Sequence, residues 1–132
     1  MDIMAEKEPS KSLIKRMGHV ALQVEDLDRA LHFYREILNL DSKWIGDDDW
    51  AQVSIGKDDL SLVRKSGAIH PPHLGFRVGT REDLVKLYER LEVAKLNPDP
   101  IKVHRDATES FYFRDPDGNW LEALWDPSEK TE

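Results

Sequence analysis

The sequence contains no cysteine. That absence excludes thiolate nucleophiles, zinc fingers and disulfide frameworks, although it fixes no compartment. No stretch reaches membrane-spanning length, and the opening MDIMAEKEPSKSLIKR lacks the apolar run of a secretory signal. An excess of positive charge is also missing: 19 Lys and Arg stand against 26 Asp and Glu, a formal net charge of −7. Nonspecific binding to nucleic acid or to an anionic membrane is therefore not expected. The expected partner is a small molecule, and the simplest location is the cytoplasm.

The 132 residues suit one domain with a sizeable core. Residues 1–16 are polar and carry Pro9, which predicts a loose arm. Residues 17–126 are expected to form the domain, and 127–132 a tail.

Inside the domain the chain repeats itself. GHVALQVEDLDRALHFYREIL (Gly18 to Leu38) aligns with PHLGFRVGTREDLVKLYERLE (Pro72 to Glu92). His19 falls on His73, Val24 on Val78, Tyr34 on Tyr88 and Ile37 on Leu91, all at one offset. Each half opens with an alternating strand, with Val20, Leu22 and Val24 on one face of the first and Leu74, Phe76 and Val78 on one face of the second. A helix follows each strand. Asp26 caps the first, whose stripe is Leu27, Ala30, Leu31, Tyr34 and Leu38. Thr80 and Asp83 start the second, whose stripe is Leu84, Leu87, Tyr88 and Leu91. Three short strands complete each half. They are expected near Lys43–Ile45, Trp50–Ile55 and Leu60–Arg64, and near Ile101–Arg105, Ser110–Arg114 and Trp120–Trp125. Turn chemistry separates them at Asp47–Asp49, Gly56–Asp59 and Asp115–Asn119. The order is βαβββ twice, in modules 17–65 and 73–126, joined by KSGAIHPP. The fold class is α+β.

Strand alternation sorts the side chains. The face turned away from the helices carries His19, Ala21 and Gln23, then His73, Gly75 and Arg77, then Lys102 and His104. It also carries Ser110, Tyr112 and Arg114, and on the last strand Trp120, Glu122 and Leu124. Glu122 stands among Trp120, Leu121, Leu124 and Trp125, company in which a carboxylate needs a partner. In the repeat it aligns with Ser61. Pseudo-twofold symmetry brings His19, His73, Glu122 and Ser61 around one axis. A lone histidine on a strand is ordinarily a core residue. Two histidines at equivalent repeat positions, converging with a carboxylate, are instead the donor set of a facial triad, suited to Fe(II) or Mn(II). Zn(II) accepts the same donors, and Ni(II) is a further candidate.

The double βαβββ, with GHVALQV, HLGFRV and FYFRDPDGNWLEAL, resembles the vicinal oxygen chelate superfamily. That group includes glyoxalase I, extradiol ring-cleaving dioxygenases, fosfomycin-resistance thiol transferases, epimerases and metal-free bleomycin-binding proteins. The resemblance covers about Met17 to Asp126. It implies a curved mixed sheet with the helices on its outer face, and it places the metal ligands at His19, His73 and Glu122. Glyoxalase I and the epimerases use a fourth protein ligand, whereas Ser61 stands at that position here. Dioxygenases and fosfomycin transferases use three.

HRDATESFYFRDPDGNWLE matches the extradiol signature through His104, Phe111, Tyr112, Asp115, Pro116, Gly118 and Glu122. It departs at Lys102, where a small or β-branched residue is usual. Lys57–Ile69 holds no histidine to serve as the dioxygenase acid–base group, and His70 is close to His73. The resemblance therefore implies catalytic roles for His104 and Tyr112, with substrate contacts from Gln23, Ser61, Arg77, Arg114 and Trp120. The leading expectation is a metal-dependent, extradiol dioxygenase-like enzyme acting on a catechol-like substrate. The alternatives are a glyoxalase-like lyase or isomerase, a thiol transferase, or a non-catalytic binding and resistance protein. Members of the family pair two modules within one chain or by exchange between two. Pro71 and Pro72 stiffen a short joint, which predicts exchange: a homodimer with His19 from one chain and His73 plus Glu122 from the other.

Overall fold

The computed structural model describes residues 12–45, 49–67 and 71–129. Eight strands form one mixed, curved sheet, and two helices complete an α+β fold. The first half comprises β1 (Ile14–Val24), α1 (Leu27–Leu31), β2 (Asp41–Ile45), β3 (Trp50–Ile55) and β4 (Asp58–Arg64). The second comprises β5 (His73–Val78), α2 (Arg81–Val93), β6 (Lys102–Val103), β7 (Glu109–Arg114) and β8 (Trp120–Trp125). The strand order is β2-β3-β4-β1-β5-β8-β7-β6. β1 runs parallel to β4, β5 runs parallel to β8, and the halves meet where β1 pairs antiparallel with β5.

The helices start where the sequence places them. Asp26 accepts a hydrogen bond from the Arg29 amide at 3.0 Å, and Thr80 accepts one from the Asp83 amide at 3.0 Å. Leu27 and Leu31 pack with Ala51, Val53, Leu60 and Leu62, joined by Val20, Val24 and Tyr34. Leu84 and Leu87 pack with Val78, Phe111, Phe113 and Ala123. Leu62 and Leu84 are fully buried, and each such side chain contributes about 1.5–3 kcal/mol through its removal from water.

Several expectations need correction. β1 starts at Ile14, so residues 14–16 belong to the sheet and not to an arm; residues 1–11 lie outside the described residues. The partners explain the early start: Ile14 is paired with Val78, and Leu13 and Ile14 pack into the second core. Beyond Leu31 the first helix widens into a π-type turn over His32–Ile37, with the Leu38 amide donating to the Phe33 carbonyl at 2.9 Å. The wider turn carries Leu38 off the buried stripe, and it is 49% exposed. Leu22, expected beneath a helix, is also exposed, because β1 lies at the seam between the two helix-covered halves. β6 is only two residues long, and Val103 is 69% exposed on this edge strand. The Asp47–Asp49 turn lies mostly outside the described residues, as does His70.

The two halves meet edge to edge within this chain. β1 pairs with β5 of its own chain. β4 ends beside Val24 and β5 begins beside Ala21, so the joint has only to step over β1. That step is about 10 Å across two strand spacings, and eight residues reach up to about 26 Å.

Candidate metal centre

The register of three neighbouring strands builds the centre. Gly75 on β5 is paired with His19 on one side and with Glu122 on the other. His73 lies two residues earlier on the same face of β5, beside Ala21. His19 and Glu122 are buried at 8% and 5% exposure. A β-carbon at Gly75 would fall inside the His19 ring, so glycine here makes room for the imidazole.

The donor atoms converge. His19 Nε2 lies 2.8 Å from Glu122 Oε1, His73 Nε2 lies 3.3 Å from the same oxygen, and the two Nε2 atoms are 3.1 Å apart. Adjacent donors around one ion, each at roughly 2.1 Å, would stand about 3 Å apart, so these three fit a single divalent metal. His73 Nδ1 lies 2.8 Å from the Pro71 carbonyl. A carbonyl only accepts, so Nδ1 carries the hydrogen; Nε2 faces the centre, where it donates to Glu122 when protonated and offers its lone pair to a metal when neutral. The chemistry of the set, two imidazoles and one carboxylate, leaves positions open to other ligands.

Electrostatics support an anionic Glu122. Burial pushes its pKa up, but hydrogen bonds from His19, His73 and the Ser110 hydroxyl, with the charge of His19, hold it well below the usual carboxylate range. Burial pulls the His73 pKa down. The Glu122 carboxylate and the Pro71 carbonyl more than reverse this, and the net shift is upward. Tyr112 stands directly opposite Glu122 and donates its hydroxyl to it. Burial, then the charge and hydrogen bond of Glu122, raise the Tyr112 pKa, keeping it a phenol.

The other candidate residues are distributed unevenly. Tyr112 makes edge contacts with His73 and Trp120, with ring centroids 5.1 and 6.3 Å apart. Arg114 lies 4.2 Å over the Trp120 ring. These groups form one wall beside the metal donors. His104 is exposed, and its Nε2 lies 2.7 Å from Ser110 Oγ. Ser61 is buried beside Ala21 and accepts from Gln52 Nε2 at 3.1 Å. Gln23 is exposed. Arg77 is buried among carboxylates: Asp126 at 3.5 Å, Glu129 at 3.7 Å and Asp59 at 3.8 Å. Its Nε has no hydrogen-bond partner among the described residues.

Two site residues carried no assignment from the sequence. Ser110 is 2% exposed, lies 2.7 Å from His104 Nε2 and helps hold the Glu122 pKa down. Its signal was its place on the same strand face as Tyr112. Asp59 is buried next to His19 in register and is neutralised by Lys43 Nζ at 2.9 Å. Away from the centre, an outer-face groove lined by Val24, Glu25, Asp26, Arg29, Ala30 and Phe33 contains none of these groups. No helix among the described residues is long and apolar enough to cross a membrane.

Known proteins resemble this chain. The family model described as Glyoxalase/Bleomycin resistance protein/Dioxygenase superfamily matches residues 16–123. Biphenyl-2,3-diol 1,2-dioxygenase 2 of Rhodococcus globerulus is 26% identical over 129 residues, covering 88% of this chain and 67% of the relative. Glutathione transferase FosA of Serratia marcescens is 29% identical over 119 residues, covering 83% of this chain and 80% of the relative. An extradiol ring-cleaving dioxygenase from B. fuscum superposes with a TM-score of 0.73 at 20% identity, which shows the shared fold. That match covers 90% of this chain and 34% of the dioxygenase, so the chain spans about a third of its length.

Proposed function

The chain belongs to the Glyoxalase/Bleomycin resistance protein/Dioxygenase superfamily, and from that premise we propose that it is a metal-dependent enzyme of the extradiol dioxygenase type. Its substrate would be a small catechol-like molecule held through two neighbouring oxygens. The observation that carries the reading is the convergence of His19, His73 and Glu122 within 4.8 Å beside an aromatic wall. Fe(II) or Mn(II) is the proposed ion; when bound, it supplies Lewis-acid polarisation of the substrate oxygens and one-electron chemistry toward dioxygen.

The remaining work falls to the chain. Tyr112 and Trp120 give a flat substrate an aromatic surface beside the centre. The Tyr112 hydroxyl, a phenol throughout the working range, holds a proton at Glu122 and can donate it toward a substrate oxygen next to that carboxylate. Arg114, stacked on Trp120 and exposed, offers a cation to an anionic substituent. His104 would exchange protons with solvent at the rim. A cytoplasmic location and a homodimer belong to the same reading.

A thiol transferase is the second reading. It is favoured by the FosA relative, 80% of whose length is matched. The protein, loaded anaerobically with Fe(II), should consume oxygen when given one or more of a panel of catechols. No oxygen uptake, with glutathione consumed in the presence of fosfomycin and Mn(II), would replace the first reading by the second. A freshly purified protein that takes up no divalent metal would leave a binding role alone.

A further inference from the structure

We infer that Gln52 and Ser61 act as one unit beside the metal centre: Gln52 turns the Ser61 hydroxyl so that its hydrogen is offered to a substrate oxygen on the β4 side of the three donors. The inference rests on the metal-dependent reading above and deepens it, because it assigns a binding contact to the first half of the chain.

The fold repeats one row of residues about its pseudo-twofold axis. His19, Gly75 and Glu122 stand abreast on β1, β5 and β8. His73, Ala21 and Ser61 stand abreast on β5, β1 and β4. Each row is a histidine, a small residue and a polar side chain beyond it. Glu122 crosses Gly75 and brings Oε1 to 2.8 Å from His19 Nε2. Ser61 holds the matching place in the other row, with a side chain two bonds shorter. Its oxygen therefore stops about 2.5 Å short of a ligand position, which is roughly the length of one O–H···O hydrogen bond. Ser61 is too short to hold the metal and long enough to meet an oxygen seated there. Ala21, the small residue between, leaves that path clear as Gly75 does in the first row.

Counting hydrogens sets the direction. Gln52 is paired with Ser61 across β3 and β4, and its Nε2 donates to Ser61 Oγ at 3.1 Å. That bond occupies a lone pair of the hydroxyl and leaves its hydrogen unspent. Ser61 is 7% exposed, and among the described residues no acceptor takes this hydrogen. A buried donor without an acceptor is unfavourable, so a ligand oxygen that accepts here binds more tightly than one that does not. The second half supplies an aromatic wall, Tyr112 and Trp120, and the first half this directed donor. Together they select a planar ring with a deprotonated oxygen, the chemistry of a catecholate.

The test uses the full chain loaded with Co(II) and two probes. Binding of 4-nitrocatechol is followed by its own visible absorbance, and binding of azide by the Co(II) bands. Ser61→Ala should leave Co(II) affinity unchanged and weaken both probes by about tenfold, the order for one hydrogen bond to a charged acceptor. Gln52→Glu keeps the shape but only accepts, so it should capture the Ser61 hydrogen and weaken the probes as well. In a Ser61→Ala chain the same change should weaken them much less, because the hydrogen is already gone. Ser61→Glu restores the missing reach and should tighten Co(II) binding while excluding 4-nitrocatechol. Unchanged probe affinities in Ser61→Ala, or fully additive effects of the two substitutions, would overturn the proposal. Loss of Co(II) from Ser61→Ala would overturn it too, by making residue 61 part of the metal site. If Ser61→Ala does not fold, unchanged probe binding in Gln52→Glu decides against the pair. A wild type that binds Co(II) and azide but not 4-nitrocatechol would end the catechol reading, and the azide series would still decide the donor pair. A wild type that takes up no Co(II) would sink both.

Discussion

His19 lies over Gly75, so closely that the position of its ring and a β-carbon on residue 75 exclude one another. The first metal-facing histidine thus depends on an absent side chain in the other half of the molecule. Gly75→Ala should displace the ring, cost about 1–3 kcal/mol as overpacking, and abolish stoichiometric metal uptake. Thermal unfolding and metal analysis of the purified variant check both effects. A fully loaded Gly75→Ala protein would mean that the imidazole stands elsewhere.

The three donors should be individually indispensable. His19→Ala, His73→Ala and Glu122→Ala should each weaken divalent metal binding by about 100-fold or more, since a three-ligand site has none to spare. Calorimetric titration with Mn(II) measures this. Tyr112→Phe, which removes only the hydroxyl donated to Glu122, should keep the metal within about tenfold and lose most turnover. Unchanged turnover would reduce Tyr112 to a wall aromatic.

Because all three donors come from one chain, mixing His19→Ala and Glu122→Ala chains should not restore metal binding, even if the protein is a dimer. Metal content of refolded, verified heterodimers decides this. Recovery of about one site per two chains would mean that the halves are exchanged after all.

Metal affinity should fall in acid. The His73 pKa is raised above its ordinary 6.5 in the metal-free protein, so as the pH falls a proton competes for the imidazole. The two effects have opposite signs. The raised pKa stabilises the metal-free fold below 6.5, and that contribution is lost as the pH rises through the folded value. Metal binding needs the neutral ring and strengthens over the same interval. Mn(II) affinity between pH 5.5 and 8.5 should therefore rise while metal-free stability slightly declines, and parallel trends would contradict the assignment.

Arg77 should act on stability more than on the centre. Its guanidinium is buried among Asp59, Asp126 and Glu129. Arg77→Met removes the cation beside Asp126, while Asp59 keeps Lys43 and Glu129 keeps Arg16, and should cost about 1–2 kcal/mol with Mn(II) affinity nearly unchanged. A large loss of affinity with normal unfolding would place Arg77 in the substrate or metal machinery instead.

The centre was legible in the sequence because two regularities multiply. Period-two alternation puts His19, His73 and Glu122 on one face, and the internal repeat puts the histidines at equivalent places. What was not legible depends on partners that neither regularity encodes. Ser110 sits on the right face, but its bond to His104 requires the β6–β7 hairpin. Arg77 looks like a free cation until Asp126 and Glu129 of the following segment come back to it. Leu38 continues an ideal helical stripe, which the π-type turn breaks.

The early start of β1 reaches further than its own end of the sheet. Val20 and Val24 belong to the core beneath α1, whereas Leu13 and Ile14 belong to the core beneath α2. The strand acts as a dowel driven through both halves. A protease cut just before Met17, at what reads as the edge of a dispensable leader, would pull the dowel from the half it does not belong to in sequence. The first structure to loosen would be α2, some sixty residues downstream, and with it the strand that carries His73.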